Sequence, residues 1–234
     1  MGSALAASLR RAGVEVLGPL GRGADGAGAA IVLLCVPDRE IARAAAAIAS
    51  DAVVAHVSAS SDLDVLEPHE RASMHPLLSV SDASAQFAGA ACAVDASTPR
   101  ALAMVEQIAL VLGMRPVRVP ADRRAIYHAA ASAAANFTTT VLGAAERLAE
   151  EAGIDRDALR PLVESSVRNW ERLGARDALT GPIARGDEAT AARQRSAVAA
   201  RAPEVLALWD ALADATRAFV ASRARTAAVQ RDGQ

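Results

Sequence analysis

A continuous apolar run, AAIVLLCVPD (residues 29–38), decides the fold class of this chain. It has the length of a strand and shows no polar alternation, which is typical of a strand buried on both faces of a parallel sheet. A helical stretch, REIARAAAAIAS (39–50), and a second buried run, DAVVAHVSAS (51–60), follow it. Strands that alternate with helices in this order predict a parallel, doubly wound α/β sheet.

The same alternation extends to both sides of these runs. Upstream, MGSALAASLRRAG (1–13) predicts a helix that ends at Gly13, and VEVLGPLGRG (14–23) predicts a strand that leads into a loop. Downstream, two strands and the helix between them are predicted, namely GAACAVDA (89–96), PRALAMVEQIALVLGM (99–114) and RPVRV (115–119). Together these segments predict a Rossmann-like dinucleotide-binding domain over residues 1–120.

Beyond residue 120 the strand pattern disappears, and Ala-rich helical segments replace it. Asp155 is expected to cap one of these helices, Gly174 to end it, and Pro203 to break a later one. We therefore predict an all-helical domain over residues 121–225 and a frayed polar tail over residues 226–234.

The beginning of the sequence is similar to the second half of a dinucleotide-binding unit. Gly2 has the neighbours expected of the third glycine of a G-x-G-x-x-G loop, since a helix, a glycine and a strand follow it. Either Met1 is a misplaced start and about ten upstream residues belong to the working protein, or the sheet has a gap at its middle. Unpaired strand edges in an apolar environment are costly, which favours the first interpretation.

Composition excludes several classes of function. A formal net charge of −2 and the absence of a dense Lys/Arg cluster argue against a nucleic-acid groove or a membrane-surface patch. No apolar run approaches the roughly 20 residues of a membrane span, so we expect a cytoplasmic protein. Cys35 and Cys92 are expected to be buried hydrophobes, with no metal site or disulfide. The chain has no lysine, which excludes a lysine nucleophile or proton donor.

The end of the second predicted strand bears on the choice of cofactor. An acid there suits the ribose hydroxyl of NAD, whereas an arginine suits the 2′-phosphate of NADP. The stretch PLGRG (19–23) contains Arg22 and no acid, which favours NADPH unless Arg22 is only a solvated loop residue. The residues predicted to contact the cofactor are Gly2, Ser3, Arg22, Val36, Pro37 and Ser58.

Three polar residues are candidates for catalysis in the first long helix of the second half. His128, Ser132 and Asn136 are spaced i, i+4, i+8, so they line one face over about 12 Å. His128 could donate a proton while Asn136 orients the substrate oxygen or nitrogen. Alternatively, His128 packs in the helical core and Asn136 binds backbone groups at a domain junction.

Four more residues are candidates for contacting substrate or cofactor. His75 is predicted on a loop, SMHPLLS (73–79), either as a substrate contact or proton relay or as part of a rigid turn. Ser58 and Ser60 follow a buried strand and could contact nicotinamide or substrate, or form only a turn. Arg185 could bind a substrate carboxylate, in front of a helix that Asp187 caps.

Several short stretches together resemble one bacterial family, which joins a Rossmann-like domain to a C-terminal helical domain of unknown function, number 2520. They are CVPD (35–38), HVSAS (56–60), MHPL (74–77), YHAAASAAANF (127–137) and LTGPIARGD (179–187). That family is similar in build to pyrroline-5-carboxylate reductase, ketopantoate reductase and the 6-phosphogluconate dehydrogenase group. The resemblance departs from the β-hydroxyacid dehydrogenases at Ser132, where those enzymes carry a lysine four residues before the asparagine. The glycine loop is also truncated.

The resemblance implies an NAD(P)-dependent oxidoreductase that acts on a small metabolite. We expect NADPH as the preferred cofactor and a small oxo-acid or cyclic imine as the substrate, with ketopantoate reduction as the more specific hypothesis. The resemblance also implies a homodimer formed through the helical domain. The alternative is a protein that senses the cofactor or serves as a scaffold without turnover.

Overall fold

The computed structural model describes residues 1–49 and 51–232, and the side chains as far as residue 222. Ser50, the last residue of a predicted helix, and residues 233–234, the end of the predicted tail, lie outside the described residues. The chain forms two compact units, Met1–Asn136 and Phe137–Gln234. The first unit extends beyond residue 120 because the side chain of Arg124 ties the following helix to the sheet.

A five-stranded sheet organises the first unit, with its strands in chain order from edge to edge. The strands are β1 (Ile31–Leu34), β2 (Val53–His56), β3 (Arg71–Pro76), β4 (Ala91–Ala96) and β5 (Arg115–Arg118). The first three are parallel, β4 is antiparallel to β3, and β5 is parallel to β4. The predicted Rossmann-like α/β class is confirmed, but the sheet is mixed. Residues 77–90 join β3 to β4 without a crossover helix, so the chain turns back on itself.

Helices cover both faces of this sheet. They are α1 (Gly2–Arg11), α2 (Ile41–Ala45), α3 (Pro99–Val111) and α4 (Arg124–Ser132). On one face, Leu5 of α1 and Val105 of α3 share a core with Met74 of β3. On the other face, Ile41 of α2 packs with Val54 of β2. The predicted helix over residues 39–50 is shorter than expected and begins with a 3-10 turn.

Two strand assignments made from the sequence are wrong. Residues 14–16 form no strand, because the described sheet ends at β1 and offers them no neighbour; the Arg10 guanidinium binds the Val16 and Gly18 carbonyls instead. Conversely, His75 lies in β3 and not on a loop. Its strand pairs with β2 and β4, and polar and apolar residues alternate along RASMHP (71–76) as a half-buried strand requires.

The second unit is all-helical, as predicted. It contains α5 (Thr138–Glu151), α6 (Arg156–Ala178), α7 (Gly181–Arg185), α8 (Glu188–Arg201) and α9 (Leu206–Asp232). The predicted caps are confirmed, since the Asp155 and Asp187 carboxylates accept the backbone N–H groups of Ala158 and Thr190, both at 3.0 Å. Gly174 interrupts α6 with a left-handed φ of 73°. The backbone of residues 226–232 continues α9, where a frayed tail was expected.

Candidate active site

Polar residues form a row across one face of the sheet in the first unit. Strand register places His56 of β2 beside Ser73 of β3, and Ser73 beside Asp95 of β4. His75 lies two residues further along β3, and Ser58 lies two residues beyond the end of β2, both toward the carboxyl ends of these parallel strands. In open α/β folds this edge is where ligands bind.

An acid and two serines meet at the ends of β1 and β2. The Ser58 and Ser60 hydroxyls both donate to Oδ2 of Asp38, at 2.8 and 2.7 Å. Ser58 Oγ in turn accepts the backbone N–H groups of Ser60 and Ser61, so the predicted turn is present. Ser58 is buried, whereas Asp38 and Ser60 are exposed. The cluster therefore presents a carboxylate and a hydroxyl at the ligand-binding edge.

His75 of β3 contacts Tyr127 of α4. Nδ1 of His75 lies 2.7 Å from the Tyr127 hydroxyl, and the two rings meet edge to face. Burial, and next the charge of His128, lower the pKa of His75 to about 4. Burial raises the pKa of Tyr127 to about 12. Both side chains are therefore neutral at physiological pH.

Arg124 anchors α4 to the sheet one helical turn before Tyr127. Nη2 donates to Ser73 Oγ at 2.9 Å and to Asp95 Oδ2 at 3.1 Å, and Nη1 donates to the Ser61 carbonyl at 3.3 Å. The guanidinium is buried with these partners. Buried charges require such pairing because their desolvation is expensive. Arg124 is therefore committed to structure and is not offered to a ligand.

His56 is fully buried beside this network. Neither ring nitrogen has a hydrogen-bond partner among the described residues. The backbone of Asp62 acts to raise the pKa of His56, against two larger effects. Burial, and then the charge of Arg124, lower the pKa of His56 and keep it neutral. A small cavity of about 10 Å³ lies beside Ser73, His75, Arg124 and Tyr127, with room for about one water molecule.

The predicted third glycine of the cofactor loop makes a close packing contact. A Cβ atom on Gly2 would lie 3.0 Å from Cβ of Cys35, directly after β1. Only glycine lets the N-terminus of α1 approach the strand this closely, which is the role of the third glycine in dinucleotide loops. Val36 and Pro37 follow Cys35 at the same edge, and Ser3 is exposed near the start of α1.

Other predicted residues lie elsewhere. Arg22 is exposed in a loop and makes no hydrogen bond or ion pair to a described residue. His128 is exposed on α4, which ends at Ser132. Asn136 lies in a π-helical segment, Ala133–Phe137, so the predicted regular i, i+4, i+8 face is interrupted by one wider turn.

Arg185 ends α7 in the second unit and is exposed there. None of the described helices combines the length and the apolar character that a bilayer span requires. Within the described residues, no group of three or more His, Cys, Asp and Glu side chains could hold a metal ion. Burial raises the pKa of the Cys35 and Cys92 thiols to about 11 and 12, which makes them unreactive at neutral pH.

Sequence reasoning missed Asp38, Arg124 and Tyr127. Asp38 stands in the CVPD stretch that carries part of the family resemblance, but it is not among the predicted site residues. Arg124 and Tyr127 are three residues apart, a spacing that places them on one helix face, whereas Ser73 and His75 are two apart on one strand face. Together these two spacings indicate a helix whose polar face packs against a polar face of β3.

Residues 90–216, more than half of the chain, match the family described as Domain of unknown function (DUF2520). The chain belongs to this family. A comparison of this DUF2520 chain with curated proteins finds no match.

Three solved structures share the fold of the DUF2520 chain. A candidate NADP oxidoreductase of Bacteroides fragilis is 20% identical, with 92% of this chain and 93% of that chain covered and a TM-score of 0.80. A protein of Thermotoga maritima is 24% identical, with 82% and 78% covered and a TM-score of 0.70. Pyrroline carboxylate reductase of Plasmodium falciparum, solved with NADP bound, is 12% identical, with 94% of each chain covered and a TM-score of 0.60. At these identities the likeness establishes the fold.

Proposed function

We propose that this DUF2520 protein is an NAD(P)-dependent oxidoreductase. The observation that carries the proposal is the close approach of Gly2 to Cys35, which brings the N-terminus of α1 to the carboxyl end of β1. Asp38, Ser60 and His75 lie at the carboxyl ends of neighbouring strands. A cofactor site and a polar substrate site would thus share one edge of the sheet. The NADP-bound reductase with the same fold supports this assignment.

The residues present fit a nicotinamide dinucleotide. The first backbone N–H groups of α1 lack helical partners and suit an anionic diphosphate. Gly2 and Ser3 would hold this group, with Val36, Pro37 and Ser58 along the rest of the cofactor. The bound cofactor supplies a hydride. Arg22, which has no described partner, would bind a 2′-phosphate and so favour NADPH.

The charges of the first unit discriminate between the two expected substrate classes. Among the described residues assigned to the site, Asp38 carries an exposed carboxylate, whereas the buried guanidinium of Arg124 is bound to Ser61, Ser73 and Asp95. A carboxylate there repels the carboxylate of an oxo-acid, whereas the nitrogen of a neutral cyclic imine can accept a hydrogen bond from His75. We therefore favour the imine. Neutral His75 polarises the reacting group, while the roles of His128, Ser132, Asn136 and Arg185 stay predictions.

The test is an isothermal calorimetric titration of the protein with NADPH and with NADH, which measures the affinity for each nucleotide. Gly2→Ala should weaken binding about tenfold or more, because the added Cβ pushes α1 away from β1. Gly143→Ala is the matched control, since a Cβ there meets nothing within 4 Å. The same titrations are run on a chain extended by about ten residues before Met1, because the beginning of the sequence is similar to the second half of a dinucleotide-binding unit.

Each outcome of this titration decides between the candidate functions. Binding that Gly2→Ala weakens and Gly143→Ala leaves intact supports the dinucleotide site, and a preference for NADPH supports the role of Arg22. Turnover of a panel of oxo-acids and cyclic imines then separates an oxidoreductase from a cofactor sensor. If neither form of the chain binds either nucleotide, the oxidoreductase proposal is wrong.

We also propose that the second unit forms a homodimer. Leu162, Val167, Trp170 and Leu173 are exposed on α6, with Leu162 and Trp170 65% and 57% accessible. At 100° per residue they fall within an arc of about 140°, a continuous apolar surface that a second copy would cover.

Sedimentation velocity tests the dimer. The wild type should sediment as a dimer, and Trp170→Glu should sediment as a monomer because a carboxylate cannot be buried there unpaired. Leu110→Glu is the control, since Leu110 on α3 is 63% accessible and lies outside this surface. A monomeric wild type would contradict the proposal.

A further inference from the structure

The direction of the hydrogen bond between His75 and Tyr127 decides what His75 offers a ligand. Nδ1 and Oη are 2.7 Å apart. A phenol hydroxyl can donate or accept, and a neutral imidazole carries its proton on one nitrogen only. Either Tyr127 donates to Nδ1 and the ring proton sits on Nε2, or Nδ1–H donates to Oη and Nε2 is an acceptor.

The surroundings of Tyr127 favour the first arrangement. Among the described residues, Tyr127 Oη has no hydrogen-bond partner besides His75. If Oη accepted from His75, its own proton would be left without an acceptor on a half-buried side chain, which is costly. If Oη donates, one bond satisfies both the hydroxyl proton and Nδ1, whereas the other arrangement leaves both Oη–H and Nε2 without a described partner. In the first arrangement Nε2 of His75 carries the proton and has no described partner of its own.

Two contacts hold this pair in place. Arg124 and Tyr127 lie one turn apart on α4, and they bond Ser73 and His75, which lie on the same face of β3. The helix is thus attached to the strand at two points, and it cannot rotate or slide without breaking the Arg124 bonds to Ser73 and Asp95. Tyr127 therefore presents its hydroxyl to Nδ1 in a fixed position.

We propose that Tyr127 is a positioning residue that holds neutral His75 as the Nε2–H tautomer, so that His75 donates a hydrogen bond to the substrate oxygen or nitrogen. The ligand in this statement rests on the proposed function, whereas the tautomer does not. Neutrality follows from burial, which lowers the pKa of His75 to about 4. A neutral imidazole donor polarises a carbonyl or imine without first being protonated.

Long-range ¹H–¹⁵N NMR of the histidine side chains reads the tautomer directly. His75 should show the Nε2–H pattern in the wild type, and Tyr127→Phe should raise the share of the Nδ1–H form. His69 is an internal standard, because its Nε2 lies 2.9 Å from the Ala45 carbonyl, which can only accept. Ile126→Ala, on the same helix and 70% accessible, is the control that should leave the pattern unchanged.

A pH titration of His75, followed in the same spectra, is a second test of the direction of this hydrogen bond. A donor on Nδ1 favours the neutral ring, so Tyr127→Phe should raise the pKa of His75; if Nδ1–H were the donor, the substitution would lower it. The other groups that face His75, namely His128 and Arg124 of α4 and Asp38 after β1, are the same in both proteins. In turnover, kcat should fall about tenfold while KM stays within about twofold.

The outcomes separate this inference from the proposed function. The role of Tyr127 is wrong if His75 of the wild type carries its proton on Nδ1. It is also wrong if Tyr127→Phe changes neither the tautomer nor the pKa of His75, whatever the enzymatic activity. The wild-type spectrum alone decides the tautomer should the variant fail to fold. If His75 is the Nε2–H tautomer but the protein binds no nucleotide, the role of Tyr127 stands and the proposed oxidoreductase function is wrong.

Discussion

Arg124→Met is expected to lower the free energy of unfolding by about 3 kcal/mol. Methionine fills a similar volume but leaves Asp95 and Ser73 without their buried donor. Removing one partner of a buried ion pair costs more than the pair itself contributes, because the remaining charge stays desolvated. Urea unfolding followed by circular dichroism measures the change.

The same carboxylate offers a matched control for this substitution. Arg118 also pairs with Asp95, at 3.7 Å, but its side chain is 55% exposed. Exposed ion pairs contribute little, so Arg118→Met should cost less than about 1 kcal/mol. A loss below about 1 kcal/mol in Arg124→Met, no larger than that in Arg118→Met, would contradict the stabilising role of the Arg124 network.

Acid should destabilise the protein through His75 and His56. Both pKa values are lowered in the folded state, that of His75 to about 4, whereas both rings titrate near 6.5 when unfolded. Between these values the unfolded chain binds more protons, so stability falls as the pH falls from about 6.5 to about 4 and is unaffected above 6.5. His75 alone accounts for about 3 kcal/mol of this loss.

His75→Gln isolates this contribution. The variant loses the Tyr127 hydrogen bond at every pH, but the difference in unfolding free energy from the wild type should shrink, or change sign, between about pH 7 and about pH 4. The carboxylates titrate in both proteins and cancel in the difference. A difference that stays constant over this range would show that His75 is not held neutral by burial.

The sequence predicted the layered class because its strongest signals are local. Two uninterrupted apolar runs gave β1 and β2, and caps at Asp155 and Asp187 gave helix starts that the structure confirms. The sequence also singled out Gly2, which packs closely against Cys35, while its role toward a cofactor stays a prediction. These features depend on a few neighbouring residues and not on how strands are arranged.

What escaped prediction depends on contacts between distant segments. The antiparallel direction of β4 follows from the connection over residues 77–90, which contains no helix. The spacing of apolar residues along the sequence does not indicate this direction. β3 does alternate along RASMHP, but the proline after His75 favours a loop, which is where the sequence predicts His75. The partnership of His75 and Tyr127 joins residues 52 positions apart, so the site could be outlined but not assembled from sequence alone.

The two cysteine thiols and the half-buried phenol of Tyr127 make the folded protein a poor buffer in alkaline solution. The chain has two cysteines, one tyrosine and no lysine. Folding holds Cys35, Cys92 and Tyr127 at pKa values of about 11, 12 and 12, and arginine keeps its charge beyond that range. From about pH 9 to about pH 10 the native side chains therefore exchange almost no protons with the solvent. Unfolding returns the thiols to 9.0 and the phenol to 10.0, so the chain acidifies its own solution as it loses its structure.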